Sequence, residues 1–299
     1  MTISAVLAPC SAHKRKLPTH LLEAARLPAG TQSVVARGWL DNVSTADGQI
    51  SARDLYQGVS FSRLRQVADL HGCPLFVVSA GLGLLKGSTL APAYDLTLSP
   101  SAPSRIQLHI TDRFDPAAWW QQMQTGRFAS SIDVLAVGEG RILVALTKPY
   151  AQLVGTALAQ LTREAIKRLR IFGMSLEKSL PYALHAQVMP YDARLDALVP
   201  GTRLDFPSRA LAHFAALIAA HPLQDVAGDG ALVRAALAPI TRPVSAMRSK
   251  ASDEELLRQI SALAQHGLST TRALRELRLN LGIACEHGRF RRLYTMVSA

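Results

Sequence analysis

Cysteine is scarce in this chain, and acid is in short supply. The three thiols, Cys10, Cys73 and Cys285, stand far apart and form no C-x-x-C pair, so neither a disulfide framework nor a zinc site is expected. No apolar run reaches the roughly 18 residues that a bilayer span needs. No stretch at the start has the charged, apolar, small-residue order of a signal peptide. These absences point to a soluble, cytoplasmic protein with no membrane partner. There is no Walker A motif. Gly81, Gly83 and Gly87 stand as G-x-G-x-x-x-G among leucines, which is not the dinucleotide fingerprint. No cofactor and no metal are expected.

The shortage of acid has a second meaning. Against 33 Lys and Arg there are 22 Asp and Glu, a net charge of +11, which favours an acidic partner; nucleic acid is the commonest. A solubility charge is the bland alternative. At 299 residues and 48% hydrophobic content, the chain is long enough to bury a sizeable core in one or two domains.

The first 150 residues read as α/β. Ile3–Ala8, Leu75–Ser79, Val134–Val137 and Ile142–Leu146 are short β-branched runs, apolar on both faces, as strands of a buried sheet should be. A helix is predicted from Ser60 as N-cap, with Phe61, Leu64, Val67 and Ala68 as its stripe and Gly72 as its end. Another is predicted over Ala151–Ile171, stopped by Gly173, and a third over Ser208–Ala220. Residues 174–207 are irregular, and Val226–Ser252 reads as a connecting region. Val137–Gly140 is read as a turn between strands, with a phosphate cradle as the alternative.

After Ser252 the texture changes. Ser252 and Glu255 form a capping box, and Leu256, Leu257, Ile260, Leu263 and Ala264 share one helix face until Gly267. Ser269 can cap a second helix carrying Ala273, Leu274 and Leu277, and a third carries Phe290, Leu293 and Tyr294. Three short helices with tight turns match a helix-turn-helix module. From Arg248 onward nine Lys and Arg face five Asp and Glu, a surplus of four. The third helix is the expected recognition helix, offering His287, Arg289, Arg291 and Arg292, with Arg272 and Arg275 as further DNA contacts. A helical docking domain with a solvated basic face is the alternative. The expected domains are 1–172, a helical extension and linker over 173–247, and the module over 248–299.

Ligands of open α/β sheets bind beyond the carboxyl ends of the strands. Cys10, Ser11 and Lys14 follow the first strand, and the stretch from Ser79 through Gly81 and Gly83 to Tyr94 and Asp95 follows the second. The glycines would let backbone approach a ligand. Asp95, beside Tyr94 in a Leu- and Pro-rich stretch, is expected to be partly desolvated, which suits a base or a stabiliser of a cation; capping a turn is the alternative. Cys10 is read as a binding or packing residue, and His13 as a surface residue. The alternating Asp and Arg of residues 191–205 are read as structural salt bridges, with a pocket wall or a phosphate contact as the sharper alternative.

The stretches CSAHKRK, RDLYQGVSFSRLRQVA, PLFVVSAGLGLL and APAYDLTLS resemble, in that order, a bacterial and phage family of domains of unknown function. That family shows a Cys-Ser/Gly-x-x-Lys loop, then Leu-Tyr, Ser-Ala-x-x-Gly-Leu-Leu and Pro-Tyr-Asp. The resemblance covers about residues 3–155 and includes ILVALTKPYAQLV. The opening loop is also similar to the Pro-Cys-x-x-x-Lys loop of archaeosine synthase, whose core domain is similar to uracil-DNA glycosylases. The resemblance implies a glycosylase-like three-layer α/β domain that binds a base, with Cys10, Ser11, Lys14, Tyr56, Ser79, Gly83, Tyr94 and Asp95 around the pocket. Gly81-Leu82 departs from the Lys or Arg and His or Tyr common in the family. The Lys-Pro-Tyr after the cysteine loop is missing.

Three functions are weighed. In the first, a DNA glycosylase excises a modified base from double-stranded DNA, for example a glucosylated hydroxymethylcytosine of a phage, as a defence; Asp95 is the catalytic residue. The second is a base-modifying or base-exchanging enzyme. The third is a nucleotide-sensing regulator with a DNA-binding module and no catalysis.

Overall fold

The computed structural model describes residues 3–99, 102–221, 224–241 and 249–298. The chain divides into two compact units, 1–242 and 243–299, each with its own hydrophobic core. The first unit opens with β1 (Ile3–Pro9), α1 (Gln32–Ser44), β2 (Ile50–Ser51), α2 (Ala52–Leu55) and α3 (Val59–Leu70). Next come β3 (Leu75–Ser79), β4 (Gly83–Lys86), β5 (Leu90–Ala91), α4 (Pro116–Met123) and β6 (Arg141–Ala145). It continues with α5 (Lys148–Ala159), α6 (Arg163–Arg168), β7 (Leu169–Phe172), α7 (Leu195–Leu198), α8 (Phe206–Leu217) and α9 (Val226–Leu237).

Five strands form a mixed sheet in the order β4-β3-β1-β6-β7, parallel throughout except for β4, which runs antiparallel to β3. The middle strands are apolar on both faces because helices cover both. Val6 lies opposite Leu75 on one side and Leu143 on the other, and all three are buried. From β1 the chain crosses through α3 to β3 on its left in this order; from β6 it crosses through α5 to β7 on its right. Right-handed crossovers in opposite directions put α3 and α5 on opposite faces. They also leave a crevice where the direction reverses, between the carboxyl ends of β1 and β6. On the α3 side, α8 packs against α3, β6 and β7; α1, α4 and α5 pack together as a second group. The result is a mixed α/β unit with a five-stranded, mostly parallel sheet.

Several predicted elements differ. Val134–Val137 is no strand: Ile132–Leu135 is a 3-10 turn and Val137 is exposed. The helix expected over 151–171 is α5, α6 and then the edge strand β7, because the chain turns after Gln160 and Thr162 caps a new helix through the Ala165 amide. The N-cap of α3 is Gly58, at φ +102°, rather than Ser60. Part of the expected connecting region is the helix α9, capped by Asp225; residues 242–248 of that region lie outside the described residues. The elements of 173–241 pack into the core of the first unit, with Leu195, Phe206, Phe214 and Val233 fully buried.

α9 is bound to the sheet by charge. The Asp229 carboxylate, fully buried, accepts from Arg141 Nε (2.6 Å) and Nη2 (2.7 Å) and from Arg170 Nε (2.6 Å). Burial pulls the Arg170 pKa down, and Asp229 opposes that by holding its cationic form.

The second unit holds β8 (Ser249–Lys250), α10 (Asp253–Gln265), α11 (Thr270–Leu279), β9 (Ile283–Ala284) and α12 (His287–Ser298). Its three helices are those read from the sequence, and the Ser252 side chain accepts from the Glu255 amide as the capping box requires. Leu256, Ile260, Leu274, Leu277, Phe290 and Leu293 meet in its core. Among the described residues of the chain, no helix is long and apolar enough to cross a membrane.

Candidate functional site

A cleft of about 430 Å³ lies at the crevice that the topology defines, lined by Pro9, Cys10 and Ser11 after β1 and by Ala145, Thr147 and Tyr150 after β6. Phe61 and Leu64 of α3 make an apolar wall, and the segment 202–208 supplies the facing wall. Its size suits a nucleotide-sized ligand.

The opening loop is not a free turn. Cys10 N donates to Val78 O (2.9 Å), prolonging the ladder beyond β1. Arg15 N donates to Leu55 O and Gln57 N to His13 O, both 2.9 Å, so residues 13–15 run antiparallel to 55–57. This pairing explains how a chain leaves a buried strand and enters a basic loop without a Gly or Asn turn.

Behind Cys10 lies a polarised chain of hydroxyls. Tyr94 Oη donates to Cys10 Sγ (3.3 Å) and accepts from Tyr56 Oη (3.2 Å). Its only proton is therefore committed, and Ser79 Oγ donates the 2.7 Å bond to it. Ser79 Oγ in turn accepts from Leu82 N (3.0 Å). Tyr150 Oη reaches Cys10 Sγ from the cleft side at 2.9 Å. Burial pushes the pKa values of Tyr56, Tyr94 and Tyr150 well up, so all three stay neutral phenols. The Lys14 ammonium sits 4.1 Å over the Tyr94 ring and donates to Ser11 O (3.3 Å). Burial lowers its pKa, and Cys10 and Asp95 partly oppose that. The thiol thus lies between the cleft and a layer of neutral hydroxyls backed by the Lys14 ammonium.

Two helices begin at the cleft. α3 follows Gly58 and α5 follows Thr147, and neither has a side-chain cap. Their first-turn amides, except at Pro149 of α5, which has no N–H, receive no side-chain cap, the arrangement that suits an anion. The wall 202–208 is fixed by Arg209, buried at 1% exposure, whose guanidinium binds Asp205 (2.9 Å), Asp196 (2.8 Å) and Thr202 O (2.8 Å). Within residues 191–205 Arg194 pairs with Asp192 (3.0 Å), while Asp196 and Asp205 pair with Arg209 beyond the stretch, and Asp205 is also part of the cleft wall.

The sequence-predicted residues divide. Cys10 and Ser11 line the cleft, and so does the exposed His13. Tyr56, Ser79, Tyr94 and Lys14 form the layer behind Cys10. Asp95 is not brought in. Tyr94, Leu96 and Leu98 are buried while Asp95 is exposed, the period-2 alternation of an extended segment, pinned by Asp95 N to Leu22 O (2.8 Å) and Ala24 N to Asp95 O (2.7 Å). The expected desolvation is therefore absent. The glycines approach protein, not a ligand: a Cβ on Gly81 would meet the Tyr94 and Trp39 rings at 3.0 and 3.1 Å, and one on Gly83 would meet Gln124 Oε1 at 2.5 Å. Tyr150 carries no sequence expectation of a role, whereas Asp205 belongs to the stretch read as salt bridges or a pocket wall. The only local signal for Tyr150 is Thr-Lys-Pro-Tyr after a buried strand, an N-cap with proline in the first turn.

In the second unit Arg272, Arg275, His287, Arg291 and Arg292 are exposed. Arg289 is committed: it pairs with Asp253 and donates to Ala251 O (3.1 Å). Among the described residues no group of three or more His, Cys, Asp and Glu is placed to hold a metal. Comparison with family models, with curated proteins and with solved structures returned no match.

Proposed function

We propose that the cleft receives a nucleobase flipped from DNA and that the protein is a DNA N-glycosylase for a modified base, serving defence against phage DNA. The observation that carries this reading is the cleft itself: it stands at the reversal point of the sheet, has an apolar wall for a base, and is edged by helix starts suited to a phosphate. A chain of charge +11 can offset the few kcal/mol that flipping costs. The carboxylate at the cleft is Asp205, so the catalytic role expected of Asp95 passes to it. As the C1′–N bond breaks, its electron pair leaves with the base, which takes up a proton from solvent. Water adds to C1′ and gives a proton to the carboxylate, which stabilises the sugar cation meanwhile and then returns that proton to solvent. The Cys10 thiol on the cleft wall favours one second reading, base exchange, in which a new base takes the place of water.

The test is incubation of the full chain with duplex carrying glucosylated hydroxymethylcytosine or ordinary cytosine, followed by hot alkali and by mass spectrometry of released bases and nucleosides. Strand breaks confined to the modified duplex are expected. Asp205→Asn should slow base release by about 10²-fold or more, as for one lost electrostatic group, while Asp95→Asn leaves it unchanged. A new nucleoside without breaks would select base exchange. No product of either kind would overturn the enzymatic reading.

A further inference from the structure

The second unit has three helices and two kinds of connection between them. α10 and α11 are joined by residues 266–269 alone, with Gly267 at φ +68° making the bend. α11 and α12 are separated by residues 280–286, which contain β9 and pair with β8 through Ser249 opposite Ile283. A joint of three or four residues containing glycine is what sets the second helix of a helix-turn-helix against a duplex. The longer link is not of that kind.

Charge points the same way. Ala273, Leu274 and Leu277 turn α11 inward, leaving Thr271, Arg272, Arg275 and Leu279 exposed together on its outer face. The first turn of α11 contains no acid and has no side-chain cap. The other two helices begin with carboxylates. Asp253, Glu254 and Glu255 open α10. Glu286 accepts from Arg289 N (2.8 Å) at the start of α12, where the Gly288 and Arg289 amides hold it ionised. A carboxylate there repels phosphate, and Arg289 is already spent on Asp253.

We infer that α11, not the last helix, is the element that enters the major groove of duplex DNA, with Arg272 and Arg275 reaching base edges and Arg291 and Arg292 of α12 limited to the phosphate backbone. This departs from the recognition helix expected from the sequence, and it rests on the DNA-acting reading above. Backbone contacts add affinity at every sequence, whereas groove contacts create preference among sequences.

The experiment passes a pool of randomised 30-base-pair duplexes over the full chain, sequences what is retained, and repeats this with R272A/R275A and R291A/R292A. Melting curves establish that both variants are folded, since all four side chains are exposed. Wild type should enrich a motif, R272A/R275A should lose that motif, and R291A/R292A should keep it while the salt slope falls by about 2 units. The inference is overturned if R291A/R292A loses the motif and R272A/R275A keeps it, if both lose it alike, or if wild type binds duplex without any motif. Binding of polyglutamate as tight as that of duplex would show a generic anion surface and would overturn it too. Failure of wild type to retain duplex overturns the DNA-acting reading itself. A retained motif with no base release in the cleavage assay removes only the glycosylase chemistry.

Discussion

Asp229→Asn removes the carboxylate that pairs with both Arg141 and Arg170 in the interior. Arg141 and Asp229 side chains are both at 0% exposure and Arg170 at 2%, so no water can take over when the carboxylate goes. The amide retains the shape and one acceptor oxygen but leaves two guanidinium groups facing each other beside the sheet. Breaking a buried pair by removing one partner costs about 3–5 kcal/mol. In a unit of this size each kcal/mol moves the midpoint by ~2–4 °C, so Tm should fall by roughly 6–20 °C. The assay is thermal or urea unfolding followed by tryptophan fluorescence. Trp39, Trp119 and Trp120 are the chain's three tryptophans, all buried in the first unit, so the signal ignores the second. Asp95→Asn, at an exposed position, is the control and should stay within about 0.5 kcal/mol of wild type. If Asp229→Asn behaved like the control, the triad would be no determinant of stability.

Other outcomes follow from the same geometry. Tyr56, Tyr94, Tyr150 and Tyr191 have raised pKa values through burial, so their neutral form stabilises the fold fully below pH ~10, and that stability is lost as pH climbs above it. In an alkaline titration read by phenolate absorbance, these four of the six tyrosines should ionise only when the protein unfolds; ionisation of the four in the native state would refute the buried layer. Gly83→Ala places a Cβ 2.5 Å from Gln124 Oε1 and 2.9 Å from Met123 O at φ +74°, whereas Gly138→Ala, at φ +84°, meets nothing within 4 Å. Both should destabilise by at least ~1 kcal/mol, Gly83→Ala by clearly more, and equal urea midpoints would show that the Gly83 contacts give way freely.

Where the chain's pattern was local, it could be read. The runs at 3–8, 75–79 and 142–146 are apolar on both faces, and caps and glycine stops outline the three C-terminal helices. β7 escaped because Leu-Arg-Ile-Phe interrupts its apolar run with Arg170, whose burial depends on Asp229, 59 residues away in the chain. Asp95 was misplaced for a different reason. Its neighbours suggested an apolar environment, yet alternation along an extended segment sends adjacent side chains to opposite sides. Cys10, Tyr56, Ser79 and Tyr94 converge, the last three behind Cys10 and not on the cleft wall, but their partner Tyr150 and the wall carrying Asp205 come from distant segments that no short window connects. Arg289 illustrates the same limit, since only the fold shows that Asp253 claims it.

The cleft also has a history in time. Its floor is made by residues 9–11 and its far wall by 202–208, a wall that depends on Arg209 to bind Asp196 and Asp205. A chain emerging from the ribosome therefore completes the β1 loop early and waits for nearly two hundred further residues before a ligand can be enclosed. At about 5–20 residues per second that wait lasts roughly ten to forty seconds. During it the cleft lacks its far wall. Once the wall is closed, any occupant touches both ends of this long loop of chain, so occupancy stabilises the first unit as a whole in proportion to ligand concentration.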